Sequence, residues 1–142
     1  MATDWAKLVP EITVSDFKRS LEFYLLLGFK VLWQREHPDF AYLDFEGGQL
    51  MLEAHHQTGW NTAPLEKPFG RGVNFQLECA DAQTVRETLL QSGHLLYRDL
   101  KETWYETGET TSGTLELLVQ DPDGYLLRFS EFLGEKQATS EE

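Results

Sequence analysis

"VPEITVSDFKRSLEFYLLLGFKVL" (residues 9–32) and "VNFQLECADAQTVRETLLQSGHLLY" (residues 73–97) carry the same punctuation, and that repetition decides the fold. Each opens on an alternating, β-rich run and passes an acidic helix start. Each then continues at helical spacing and stops at a glycine before a second apolar run. Asp16 to Gly28 and Asp81 to Gly93 are each twelve residues apart, so the halves register at an offset of 65. One supersecondary unit is used twice.

The local chemistry agrees. Leu8 to Val14 alternates as a strand does. Ser15 or Asp16 caps the helix that follows, and Gly28 suits the left-handed position past its end. Phe17, Leu21, Tyr24 and Leu25 recur at helical spacing and predict its apolar face. In the second half Val73 to Cys79 is the strand, Asp81 the cap, and Val85 and Leu89 the buried helix face. Three strand candidates follow each helix. The first set is Phe29–Arg35, Phe40–Phe45 and Gln49–His55, the last two joined at Glu46-Gly47-Gly48. The second is Leu95–Leu100, Thr114–Gln120 and Tyr125–Phe132, the last two joined at Asp121-Pro122-Asp123-Gly124. "ETTSG" (109–113) is expected to be a hairpin loop, and Glu135 to Glu142 a frayed polar end.

These elements predict an α+β protein in one domain spanning 1–142: a first βαβββ module (8–55), a connector (56–72), a second module (73–132) and a polar tail (133–142). The tandem modules are expected to form a curled mixed sheet with a concave cleft. Alternation sends Leu8, Pro10, Ile12 and Val14 toward the helix and Val9, Glu11 and Thr13 to the opposite face. The offset likewise sends Val73, Phe75 and Leu77 inward, with Asn74, Gln76 and Glu78 on the second face. Arg128, set between Leu127 and Phe129, is costly in an apolar strand unless it reaches water or a partner, so it is expected to face the cleft.

Composition narrows the function. The formal net charge of −12, from 24 acidic and 12 basic residues, repels nucleic-acid phosphates and anionic lipids. No apolar run is long enough to span a membrane. The N-terminus lacks a basic region followed by an apolar core, and the one cysteine, Cys79, has no partner for an internal disulfide. A cytoplasmic location is the expectation. No Ser/His/Asp spacing, glycine-rich phosphate loop or basic patch appears, so hydrolysis by a nucleophile, nucleotide binding and nucleic-acid binding have no support.

The strand–"VSD"–helix–"FY"–"LGF" pattern, its second copy and the terminal "DPDG" strand together resemble the vicinal oxygen chelate superfamily, from about Leu8 to Phe132. That group includes glyoxalase I, extradiol dioxygenases and bleomycin resistance proteins. The resemblance implies its fold. It also implies a test, because the metalloenzymes hold a divalent ion through histidines and glutamates at fixed strand positions. Carried over, those positions fall on Val9, Asn74, Arg128, and Met51 or, with a register slip of two, Glu53. Valine and methionine are no ligands for a hard ion, and arginine repels one. "QLMLEAHH" and "DPDGYLLRF" look most like the bleomycin resistance branch. That branch implies a non-catalytic homodimer that sequesters a cationic glycopeptide-type antibiotic, or a similar small molecule, in an acidic, aromatic-lined groove without metal or cofactor.

The expected ligand-binding residues are Glu11, Glu53, Trp33, Trp60, Asn74, Trp104, Tyr105 and Arg128. Glu11, Glu53 and Glu78 supply negative charge on the cleft face, or pair with Arg128, or sit in water. Arg128 is expected to pair with Glu53 or Glu11. Trp33 divides evenly between core and groove, Trp60 is expected on a mobile lid, and Trp5 on a partner subunit. Two other readings stay open. One is a metal-dependent lyase or dioxygenase with a displaced site around Glu53, His55 and Glu11; the other is a small-molecule sensor domain.

Overall fold

The computed structural model describes residues 5–137. Its elements run β1 (Glu11–Val14), α1 (Phe17–Leu26), β2 (Lys30–Arg35), β3 (Phe40–Phe45), β4 (Gly48–Ala54), β5 (Asn74–Glu78), α2 (Ala82–Gln91), β6 (Arg98–Glu106), β7 (Thr110–Gln120) and β8 (Leu126–Gln137). They form two four-stranded mixed sheets, ordered β1-β4-β3-β2 and β5-β8-β7-β6. In each, the strand before the helix pairs in parallel with the last strand of its βαβββ set, and the other pairings are antiparallel. The class is α+β. No helix among the described residues is long and apolar enough to cross a membrane. The chain partitions into two compact units, Met1–Val73 with Asp121–Tyr125, and Asn74–Gln120 with Leu126–Glu142.

In the first unit, the Asp16 carboxylate accepts the Arg19 N–H at 3.1 Å and caps α1. The buried row is Ser20, Phe23, Tyr24 and Leu27, spaced i, i+3, i+4, i+7. The expected row of Phe17, Leu21, Tyr24 and Leu25 is therefore turned about the axis, and Leu25 is 43% exposed. Both rows have helical spacing; the leucine-rich sequence "LLL" could not choose between them, whereas small Ser20 sits fully buried. Leu8, expected inward, is 87% exposed because paired strand begins only at Glu11.

The Asp121–Gly124 turn belongs to this unit although the strands it joins belong to the other. Asp121 and Asp123 are both buried, and every contact shows why that is tolerable. Asp121 accepts the backbone N–H groups of Asp123 and Tyr125, each at 2.9 Å, and the Tyr24 hydroxyl at 2.6 Å. Asp123 accepts both the backbone N–H and the hydroxyl of Ser15, and Lys67 Nζ lies 3.6 Å away. The Tyr125 hydroxyl donates to the Thr13 carbonyl at 2.8 Å. Burial nevertheless pushes the Asp121 carboxyl up to about 6, against the pull of its hydrogen bonds. Gly124, at φ +102°, is required twice over: a Cβ there would stand 2.5 Å from Pro68 Cβ.

In the second unit, Asp81 caps α2, and Ala82, Val85 and Leu89 are its buried row. Val73, expected inward, lies before β5 and is exposed. Here the antiparallel strands outrun the sequence reading. Residues 110–113 of the expected loop are inside β7, and the turn is Thr107–Glu109. Trp104 explains the extension: its ring covers Gly113, where an added Cβ would come within 2.5 Å of it, and Lys136 Nζ caps the ring at 4.0 Å. Glu135–Gln137, expected to fray, pair with Thr110–Ser112; residues 138–142 lie outside the described residues. β6 starts at Arg98, not at Leu95, with a bulge between Arg98 and Lys101. The bulge turns Asp99 onto Arg86, which donates two hydrogen bonds at 2.6 and 3.0 Å and draws the Asp99 carboxyl down to about 2.

Candidate functional site

Register fixes which side chains share the face of the first sheet away from α1. Glu11 lies beside Met51, Thr13 beside Glu53, Phe40 beside Glu53, and Trp33 beside Tyr42. Successive residues alternate, so Glu11, Thr13, Trp33, Arg35, Phe40, Tyr42, Met51 and Glu53 project together. The aromatic part is continuous. Trp33 stacks on Tyr42 at 6.0 Å and tilts on Phe40 at 5.0 Å; Trp5 meets Tyr42 edge-on at 4.9 Å. Trp33 is thus neither core nor free surface: half-exposed, it forms the outer wall of this face. Trp5 packs against its own chain's Tyr42 and stays 52% exposed.

At the β4 end this face opens into a cavity of about 290 Å³ lined by Glu11, Arg35, Pro38, Glu53, His56, Thr58, Gly59 and Trp60. Three of the expected residues, Glu11, Glu53 and Trp60, therefore meet in one place. Trp60 is 93% exposed at its mouth. Burial and the neighbouring Glu53 raise the Glu11 carboxyl above the ordinary carboxylate range, with Arg35 and His56 pulling the other way. His56 Nε2 lies 3.0 Å from Glu53 Oε2, and its Nδ1 lies 3.3 Å from the Thr58 hydroxyl. Arg35 stacks its guanidinium 4.3 Å above the Phe40 ring.

Sequence reasoning missed Arg35 and His56. Arg35 ends a strand whose partner is aromatic, which is a legible cue for stacking. His55 shares the strand alternation with Glu53, but β4 ends at Ala54, and it is His56 that turns back onto Glu53.

The second unit gathers a different set. On the face of its sheet away from α2, Arg128 lies beside Gln76 and Leu118, and Arg98 lies on the other side of Leu118. Arg128 Nη1 meets Glu116 Oε2 at 3.3 Å, and the Tyr105 hydroxyl donates to Glu116 Oε1 at 2.8 Å. The hydrogen bond to Glu116 raises the Tyr105 hydroxyl's pKa. Arg128, expected to pair with Glu53 or Glu11, meets Glu116 because the strand beside it supplies its own acid, only 1% exposed. Glu116 was legible: "TLELLV" holds one acid in an apolar run, the mirror of "LLRF". Asn74 is exposed at the start of β5. Trp104 lies on the opposite face of β6 from Tyr105, as alternation requires, so the two aromatics do not share a site.

The family's metal positions can be checked by chemistry. Val9 and Met51 belong to the first unit, Asn74 and Arg128 to the second. None of these is a carboxylate or imidazole, the slipped register would add only the single carboxylate of Glu53, and the Arg128 guanidinium is engaged with Glu116. This donor set does not fit a divalent ion.

Residues 6–129 match the Glyoxalase/Bleomycin resistance protein/Dioxygenase superfamily. The chain is 29% identical over 126 residues to a lactoylglutathione lyase of Haemophilus influenzae, a match covering 84% of this chain and 87% of that protein. It is similar to a glyoxalase/bleomycin resistance protein/dioxygenase from Alicyclobacillus acidocaldarius, at 26% identity and TM-score 0.56, covering 89% of this chain and 91% of the other. TioX from Micromonospora sp. ML1 shares the fold at TM-score 0.70 and 18% identity, over 91% of this chain and all of its own (100%). The repeated βαβββ order, the two mixed sheets and the matched span agree: the chain belongs to the Glyoxalase/Bleomycin resistance protein/Dioxygenase superfamily.

Proposed function

We propose that this protein captures a cationic, partly planar small molecule in the first-unit cavity and releases it unchanged. The observation that carries the reading is the pairing of two carboxylates, Glu11 and Glu53, beside a stacked aromatic wall. Glu11 and Glu53 outnumber the one arginine in the lining, Arg35, which favours a positive occupant in this partly desolvated niche, and the Trp60 face at its mouth suits a flat one. The donor set at Val9, Met51, Asn74 and Arg128 supports capture rather than metal-dependent turnover. A bleomycin-type glycopeptide fits this description and is the probe of choice. The same reading has the chain acting as a homodimer in the cytoplasm, which light scattering on the purified protein and fractionation of its source cells test.

Calorimetric titration with a bleomycin-type ligand tests the proposal. Saturable binding in the range of about tens of micromolar or tighter is expected. Glu11→Gln and Glu53→Gln should each weaken it about five- to ten-fold, the worth of one partly screened charge at contact. No saturation, or binding indifferent to both substitutions, removes this ligand class.

The similarity to a lactoylglutathione lyase favours a second reading, a metal-dependent lyase with a displaced site. Glu53 and His56, 3.0 Å apart, are the donors such a site would start from, in place of the His55 expected from the sequence; among the described residues no three His, Cys, Asp or Glu side chains are gathered to hold a metal, so the site would have to draw Glu11 in. Metal analysis of the purified protein separates the readings: a stoichiometric divalent ion lost on Glu53→Ala would favour the lyase.

A further inference from the structure

We propose that the molecule captured in the first-unit cavity is dipolar: its cationic group sits with Glu11 and Glu53, and a carboxylate of the same molecule sits on the Arg35 guanidinium. The inference rests on the capture reading and adds the second half of the ligand to it. Strand register builds the two poles. Arg35 lies beside Phe40, Phe40 beside Glu53 and Glu53 beside Thr13, so one row crosses the sheet from β2 to β1. Two inter-strand steps separate the Arg35 backbone from that of Glu53, about 10 Å. The neighbouring row ends on Glu11, beside Met51. The acids therefore gather at the β1–β4 side of the cavity and the guanidinium comes from the β2 side.

What leaves Arg35 available is how it is held. Its guanidinium carbon lies over the Phe40 ring at 4.3 Å and over the Trp33 ring at 5.5 Å, so aromatic faces hold the charge in place. An aromatic face offers no oxygen to the five N–H donors that fan out in the guanidinium plane. Among the described residues Arg35 makes no ion pair or side-chain hydrogen bond, although Glu11 and Glu53 line the same cavity. Its charge reaches that space all the same, because it pulls the Glu11 carboxyl down against the rise that burial and Glu53 cause. Arg35 is exposed and lines an open cavity, so a molecule from solution can meet its donors. The other basic group of the lining differs: His56 is already engaged, Nε2 with Glu53 and Nδ1 with Thr58. A planar, charged fork without an oxygen partner matches the two coplanar oxygens of a carboxylate.

The test compares two flat probes of one shape, para-aminomethylbenzoate and its methyl ester, at constant ionic strength and neutral pH. Both carry the ammonium group, and only the first carries a carboxylate. Dissociation constants come from NMR titration of the full-length chain, read on the Gly59 and Trp60 amide signals at the cavity. The acid is expected to bind at least about five-fold tighter than the ester, the worth of one charge-assisted fork at an exposed arginine. Arg35→Met keeps a side chain over Phe40 and should abolish that advantage; Arg35→Lys keeps the charge without the fork and should restore only part of it. Glu53→Gln should weaken both probes alike, so the ester reports cation capture and the acid-to-ester ratio reports Arg35. An acid no tighter than the ester, or an advantage that survives in both Arg35 variants, overturns the inference. Ester binding that Glu53→Gln still weakens would then leave the capture reading standing. Failure of both probes to bind at millimolar concentration also overturns the inference, and the titration with a bleomycin-type ligand then decides the capture reading by itself.

Discussion

Asp121→Asn should flatten one limb of the protein's stability profile against pH. In the native chain burial holds the Asp121 carboxyl at about 6, whereas an unfolded aspartate titrates near 3.8. The native state therefore keeps a proton that the unfolded state has released between those values. Stability contributed by this group is full below about pH 4, falls as pH rises to about 6, and is level above. The native carboxyl titrates about two pH units above the unfolded one, which corresponds to a fall on the order of 3 kcal/mol across that window. Asparagine keeps the oxygen that accepts from the Asp123 and Tyr125 N–H groups, and its amide replaces the oxygen facing Tyr24. The Tyr24 hydroxyl then loses its acceptor, a constant cost of about 1 kcal/mol. Equilibrium urea unfolding, followed by tryptophan fluorescence at half-unit steps from pH 4 to 7.5, supplies both curves. The wild-type-minus-variant difference cancels other groups, including Asp99, whose lowered carboxyl acts in the opposite sense. A difference that is flat, or that rises with pH, refutes the assignment of a strained carboxylate to this turn.

Gly124→Ala should cost about 3 kcal/mol or more by the same unfolding assay, since it combines a left-handed backbone with a Cβ 2.5 Å from Pro68. Gly47→Ala, at φ +97° with nothing within 4 Å, should cost only about 1 kcal/mol, so equal effects would show that crowding at Gly124 is misjudged. Arg128→Met should cost about 2 kcal/mol, because it strands the buried Glu116 with only the Tyr105 hydroxyl, and the side chain's 30% exposure holds the loss below that of a fully buried pair. Adding Glu116→Gln should return about 1 kcal/mol of it; strict additivity in this double-mutant cycle would mean that the two residues are uncoupled.

The fold was legible because two independent signals agreed: capped helices ending in glycine, and their recurrence at an offset of 65. Boundaries were less so. β7 and β8 run past the expected loop because cross-strand partners, above all Trp104 over Gly113, outweigh the turn-forming look of "TTSG". In the candidate site, alternation placed Glu11 and Glu53 on one face, and the structure brings them together with Trp60. Glu116 was not foreseen as a partner of Arg128 because strand pairing, which the sequence leaves open, is what sets the two side by side. His56 escaped for a related reason. Where a strand ends, alternation ends with it, and the first turn residue can reach back to the face its neighbour left.

The central claim is that the cavity beside Glu11 and Glu53 binds without a metal. The direct measurement is the dissociation constant for a bleomycin-type ligand, taken once in excess EDTA and once with zinc or nickel present. Saturable binding of equal strength in both is expected, with the ligand recovered intact. Binding that appears only with the metal, or a ligand chemically altered after incubation, would contradict it.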